Sequence, residues 1–95
     1  MITSKQRASL RAMANKIPAL YQVGKNGIDE TLLKTLSDAL EANELIKVHV
    51  LETAPDSAKV LCNEVAEALG AEPVQAIGGK FVLYRESENK KQIQL

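Results

Sequence analysis

Aromatic residues are nearly missing from this chain: Tyr21, Phe81 and Tyr84 are the only ones, and there is no tryptophan. Because Phe81 is expected in the core, a broad surface of exposed rings for stacking nucleobases is excluded. Cys62 is the single cysteine. An internal disulfide is therefore impossible, and a lone thiol on an apolar helical face reads as core packing. His49 is the single histidine, and with no cysteine or second histidine near it there is no metal-ligand spacing. The sequence offers no nucleophile with a base, no carboxylate pair and no metal cluster, so neither catalysis nor a cofactor is expected. No apolar run approaches the roughly 20 residues of a membrane span, and Met1–Lys5 lacks an apolar signal core. A cytoplasmic chain with no membrane partner is expected.

Net charge is also absent, at +0 over 95 residues, but the average conceals a segregation. Residues 1–28 carry Lys5, Arg7, Arg11, Lys16 and Lys25 and no acid. Residues 29–72 carry ten acids against Lys34, Lys47 and Lys59, and residues 73–95 four bases against Glu86 and Glu88. Folding could gather these into a basic end and an acidic end, and the basic end would attract polyanions.

The length suits one domain with a single core. Thr3-Ser4-Lys5-Gln6 offers a capping box for a helix over about 4–15, with Leu10, Met13, Ala14 and Ile17 on one face. Arg7 and Arg11 flank that stripe on one side and Lys5 and Lys16 on the other. Pro18 closes the helix, and residues 19–23 read as a short strand. The periodicity of Leu32, Leu33, Leu36 and Leu40 predicts a helix over 28–43 with Asp29 as N-cap, leaving Asp38, Glu41 and Glu44 toward water. Residues 45–51 alternate as a strand, with Ile46, Val48 and Val50 on one face and Lys47 and His49 on the other. His49 reads as an ordinary exposed strand residue.

A loop at Ala54–Ser57 leads into a third helix striped by Leu61, Cys62, Val65 and Leu69 and stopped near Gly70. Residues 71–77 and 80–85 form strands joined by the two-residue turn Gly78-Gly79. The last strand is apolar on successive residues, so it is expected between neighbours. Residues 86–95 are expected to be a flexible tail of the single domain, with Ile93 and Leu95 able to dock. The order α-β-α-β-α-β-β with right-handed crossovers predicts an α/β two-layer sandwich: a four-stranded mixed sheet with the second and third helices on one face.

The stretch on which these elements converge is Val23-Gly24-Lys25-Asn26-Gly27-Ile28, a G-x-x-G loop between a strand and a helix. Glycine at such a turn is often steric in purpose. A Walker loop needs four residues between its glycines, and a dinucleotide fingerprint needs a third glycine. What remains is a loop whose backbone can lie close to a partner, near a helix start whose Asp29 and Glu30 repel an anion on the helix axis. A phosphate is therefore expected beside Gly24–Gly27 and Lys25, with Lys5, Arg7, Arg11 and Lys16 neutralising its neighbours.

Taken with Glu44-Leu45-Ile46-Lys47-Val48, Ile77-Gly78 and Val82-Leu83-Tyr84-Arg85, this loop gives the stretch from Thr3 to Arg85 a clear similarity to the YhbY family of bacterial CRM-domain proteins. The resemblance implies a fold similar to the C-terminal domain of translation initiation factor three, and RNA binding during assembly of the large ribosomal subunit. It assigns the RNA contact to Gly24, Lys25, Asn26 and Gly27 and adds Lys47 and Arg85. The expected partner is structured rRNA in pre-50S particles, bound by a monomer, with no DNA. A rival reading is a protein-interaction module whose acidic helices dock a ribosomal protein or an assembly GTPase.

Overall fold

The fold is described in a computed structural model covering residues 2–94. Its elements are α1 (Ser4–Ala14), β1 (Tyr21–Val23), α2 (Glu30–Asn43), β2 (Leu45–Val50), α3 (Ala58–Leu69), β3 (Glu72–Ile77) and β4 (Lys80–Tyr84). Each helix begins where a side chain satisfies an otherwise free amide. Thr3 and Gln6 close a reciprocal capping box on α1, Asp29 Oδ1 accepts from the Leu32 amide at 2.7 Å, and Ser57 Oγ accepts from Val60. Gly70 ends α3 in the left-handed conformation, at φ 64°, where a side chain would be strained.

The sheet order is β1-β2-β4-β3, with β1 parallel to β2 and β4 antiparallel to both of its neighbours. The apolar strand thus takes an interior position, as its lack of alternation required. Gly78 alone in the β3–β4 turn has positive φ, 59°, which suits the first central residue of a type II′ hairpin. On edge strand β3 the pairing shifts between Pro73 and Gln75. A bulge there accommodates the proline's missing donor.

Helices α2 and α3 cover one sheet face. Leu36, Leu40, Leu61 and Val65 pack there on Ile46, Val48, Phe81 and Leu83, all buried. The sequence reading gave α1 no place; it lies on the other face, where Leu10 and Ala14 meet Leu45, Val74, Val82 and Tyr84. Those four sheet residues belong to the half of the sheet nearest the start of β2, so α1 leaves the other half of this face open.

Two expectations need correction. Residues 86–94 are not a loose extension, and Glu41 and Glu44 do not face water. The Glu44 side chain is fully buried and accepts from the Ser87, Gln92 and Ile93 amides. Glu41 accepts from the Ser87 hydroxyl at 2.6 Å and from the Glu88 and Asn89 amides. Acids that look solvent-facing by helical periodicity are in fact the anchors of the last segment, whose amides they share with the Ser87 hydroxyl, the acceptor for Asn89 and Lys90. Ile93 packs against the α1-side core as expected; Leu95 lies outside the described residues. Glu44 also holds φ at 67° while its amide caps α2 through Leu40 O. Glycine would normally take such a position, so the carboxylate's contacts offset a local backbone strain.

Two measurements test this packing. Leu36→Ala, at the fully buried centre of the α2 stripe, is expected to cost about 2–5 kcal/mol in urea unfolding. For Glu41, the Ser87 hydroxyl and the Glu88 amide hold the carboxyl below its ordinary value of 4.5. Burial pushes the Glu44 carboxyl up, but its three amide donors outweigh that and leave it also below 4.5. Groups depressed in the folded state stabilise it above their unfolded pKa and lose that contribution as pH falls through the folded value. Stability should therefore decline below pH 4.5. Glu44→Gln should be less stable at neutral pH and lose less on acidification, with faster amide exchange at Ser87 and Ile93; an unchanged acid slope would refute the anchor.

Candidate nucleic-acid interface

Parallel pairing of β1 with β2 places residue 24 at the same end of the sheet as Leu51, whose amide donates to Val23 O at 2.9 Å. From Gly24 the chain makes one closed turn, the Gly27 amide donating to Gly24 O at 3.0 Å. Lys25 and Asn26 occupy its exposed corners. Among the described residues their amides have no hydrogen-bond partner, and Lys25 makes no ion pair. The turn thus presents two free N–H donors and an ammonium at one point, which suits an oxyanion.

The two glycines differ in kind. Gly27 has φ +64°, and a Cβ there would meet Pro55 Cγ at 3.0 Å, so the fold itself demands glycine. Gly24 lies outside the left-handed region, and a Cβ would come only within ordinary contact of Leu51, at 3.6 Å. Nothing in the packing requires glycine at 24; its missing side chain leaves the turn's backbone approachable.

Beside the turn runs a shallow cleft lined by Gln22, Lys25, Asn26, Thr31, Thr35 and Thr53. Its amide groups and the hydroxyls of Thr31 and Thr53 suit the phosphate and ribose oxygens of a nucleic-acid backbone, whereas the Thr35 hydroxyl donates to Thr31 O at 3.0 Å and the Asp29 carboxylate lines the cleft's helix end. Gln22, Thr31, Thr35 and Thr53 line this cleft without having been marked as candidates by the sequence. A trace of signal existed in Thr31 and Thr35, a β-branched polar pair four apart at exposed positions of α2, where helix propensity would favour other residues. As expected, the axis of α2 is closed to anions, because Asp29 caps it and Glu30 stands in its first turn.

The other predicted contacts do not gather around the turn. Lys47 lies on β2 on the face opposite α2 and α3, about 10 Å along the strand from the loop end. Lys5, Arg7 and Arg11 ride on α1, which covers the far half of that face, and Lys16 stands in the turn just after it. Lys5, Arg11 and Lys16 are exposed. Arg7 is held at the β3 edge, Nε donating to Pro73 O at 3.3 Å with Glu72 3.8 Å away, on the edge opposite β1.

Arg85 is the clearest departure. Its guanidinium donates to Leu69 O at 3.0 Å, Ser37 O at 2.9 Å and Ser37 Oγ at 3.1 Å. It ties the carbonyl end of α3 to α2, a placement the helix dipole favours. Arg85 follows the end of β4 paired with the start of β2, so it sits level with Glu44 at the opposite end of the sheet, about 23 Å along the strands from the glycine turn. Nη1 and Nη2 are thus engaged by the fold.

Charge is segregated by face rather than by end. The exposed acids Glu30, Asp38, Glu64 and Glu67 belong to α2 and α3, whereas α1 and the uncovered sheet face carry lysine and arginine. Cys62 and His49 fall on opposite sides of the sheet. The thiol is buried among core residues, and that burial pushes it up to about 11, so it is no thiolate nucleophile. Among the described residues, no three metal-ligating side chains converge.

With this geometry, the chain matches the CRS1/YhbY (CRM) domain over residues 2–85. It is similar to the probable RNA-binding protein YqeI of Bacillus subtilis (strain 168), 43% identical over 99 residues spanning 100% of this chain and 99% of that protein. An RNA-binding protein of Haemophilus influenzae is 35% identical over 90 residues, covering 95% of this chain and 91% of its own. The solution structure of the hypothetical protein SAV1595 from Staphylococcus aureus superposes with a TM-score of 0.84 at 46% identity, covering 100% of this chain and 99% of that one. A family match across almost the whole described chain, on the same fold, has one meaning: this protein belongs to the CRS1/YhbY (CRM) domain family.

Proposed function

We propose that this protein binds RNA without chemistry, gripping the phosphate backbone at the Gly24–Gly27 turn, and that its target is structured rRNA in large-subunit precursors. The observation that carries the site is Gly24. It is a glycine with no steric reason to be one, beside two unpartnered amides and an unpaired lysine. The names of the Bacillus and Haemophilus relatives support RNA as the ligand. The resemblance to the YhbY family supports ribosome assembly as the setting. Contacts of this kind position RNA rather than read its sequence. Lys47 and the bases of the N-terminal segment extend a cationic field over the sheet face away from α2 and α3, whereas Arg85 serves the fold.

The test is binding to precursor large-subunit RNA across a salt series. Gly24→Asp places a carboxylate at the turn with its Cβ in ordinary contact with Leu51, 3.6 Å away, and should weaken binding about tenfold without loss of fold. Lys25→Glu should lower the slope of log affinity against log salt by about 1, the share of one phosphate. Wild-type affinity and slope in both folded variants would remove the loop from the site. Gly27 is unsuited to this test, because Gly27→Ala is expected to cost about 1–2 kcal/mol of stability through its backbone conformation alone.

The acidic face of α2 and α3 favours a second, compatible reading, in which a basic ribosomal protein docks opposite the RNA. A partner retained by the tagged protein after RNase digestion, and lost on charge reversal of Glu64 and Glu67, would support it; release of every partner by RNase would refute it.

A further inference from the structure

The open half of the sheet carries a feature the glycine turn does not account for. In register across the strands stand Gln22 on β1, His49 on β2, Lys80 on β4 and Ile77 on β3. Registered partners share a face, and all four are exposed, Ile77 to 67%. This is the face away from α2 and α3, and α1 does not reach it. Lys47 lies two residues before His49 on the same face, beside the exposed Leu20. No carboxylate occurs in β1, β2 or β4, and that of Glu72 stands at the far end of β3 beside Arg7, so the row itself is cationic.

The position of His49 gives this surface its chemistry. Phe81 and Tyr84 are buried, and Tyr21 packs against the α2/α3-side core. In a chain with so few rings, the imidazole is the one ring left on the open sheet. It is seated against the hairpin turn: a Cβ built on Gly79 would fall 3.8 Å from His49 Cδ2, and the Val50 amide donates to Gly79 O at 2.7 Å. The nearest atom to such a Cβ would be Val50 O, at 3.3 Å, so glycine at 79 serves the close approach of the hairpin to β2, and the ring lies within ordinary contact distance of it. Gln22 belongs both to this row and to the cleft beside the glycine turn, so the two surfaces are continuous.

We infer that unpaired nucleotides of the RNA held at the glycine turn continue across this row, with one base stacked on His49, the flanking phosphates neutralised by Lys80 and Lys47, and the apolar Ile77, two strands and about 10 Å from His49, under the next nucleotide. The inference rests on the proposed RNA-binding reading and adds a ligand class to it: single-stranded nucleotides next to the clamped phosphate. An exposed sheet with a ring and interleaved cations suits such a strand, since stacking needs only the face of a base.

The experiment compares a fluorescently labelled, unstructured 12-nucleotide RNA with the same RNA annealed to its complement, by anisotropy. His49→Thr keeps a strand-forming residue and removes the ring. It should weaken single-strand binding about tenfold, within the range for losing one base–ring stack, and leave duplex binding unchanged. His49→Phe should restore the single-strand affinity, which a role in charge or folding would not. Wild-type affinity in His49→Thr, or a His49→Phe variant as weak as His49→Thr, overturns the inference. Lys25→Glu, measured in parallel, separates the two readings. If it weakens binding while His49→Thr does not, the loop stands without the row. If His49→Thr weakens binding while Lys25→Glu does not, the loop reading fails and so does the continuation from it.

Discussion

The constraint on which the candidate site depends is the double pairing of β2. One edge bonds in parallel to β1 and the other antiparallel to β4. Parallel pairing brings the glycine turn after β1 to the end of the sheet where β2 finishes, and antiparallel pairing brings the β3–β4 hairpin to that same end. Backbone hydrogen bonds from Leu51 to Val23 and from Val50 to Gly79 then lock both loops against the last turn of β2. A slip of one residue would turn Lys47 and His49 into the α2/α3-side core and Val48 out to water, so burial of Val48 and Ile46 enforces the register.

The two ends of the sheet use their polar groups in opposite ways. At the end where β2 begins, Glu44, Glu41 and Arg85 are consumed by backbone partners. A buried carboxylate with several amide donors, and a guanidinium bridging two helices, make that end a closed structural joint. At the other end the donors of Lys25 and Asn26 remain unspent. A buried charge persists only where its hydrogen bonds are made, whereas an exposed donor costs little and is available to a ligand. The same residue types therefore have different meanings at the two ends, and the difference lies in their partners.

Charge follows the layers. The acidic positions of α2 and α3 face water on one side, and the sheet between them and the basic side limits mutual cancellation. A chain of zero net charge can in this way present a cationic surface to a polyanion and repel it from the opposite face, which favours a defined orientation over indiscriminate adhesion.

The sequence by itself determined what is local. Capping residues at Thr3, Asp29 and Ser57, the leucine stripes, the alternation of β2 and the unbroken apolar run of β4 gave the element order, the mixed sheet and the helices on one face, because each signal is set by neighbours within a turn or a strand. The glycine loop was legible for the same reason, and so was family membership. Tertiary structure alone decided which polar side chains are free. Arg85 and Glu44 look like surface residues by periodicity, yet their partners lie at separations of 16 to 49 positions. The standing of α1 away from the glycine turn, the contrast between Gly24 and Gly27, and the row from Gln22 to Ile77 likewise depend on pairing across strands. No local pattern encodes such contacts, because a hydrogen bond to a distant carbonyl leaves no trace in the spacing of the residues around it.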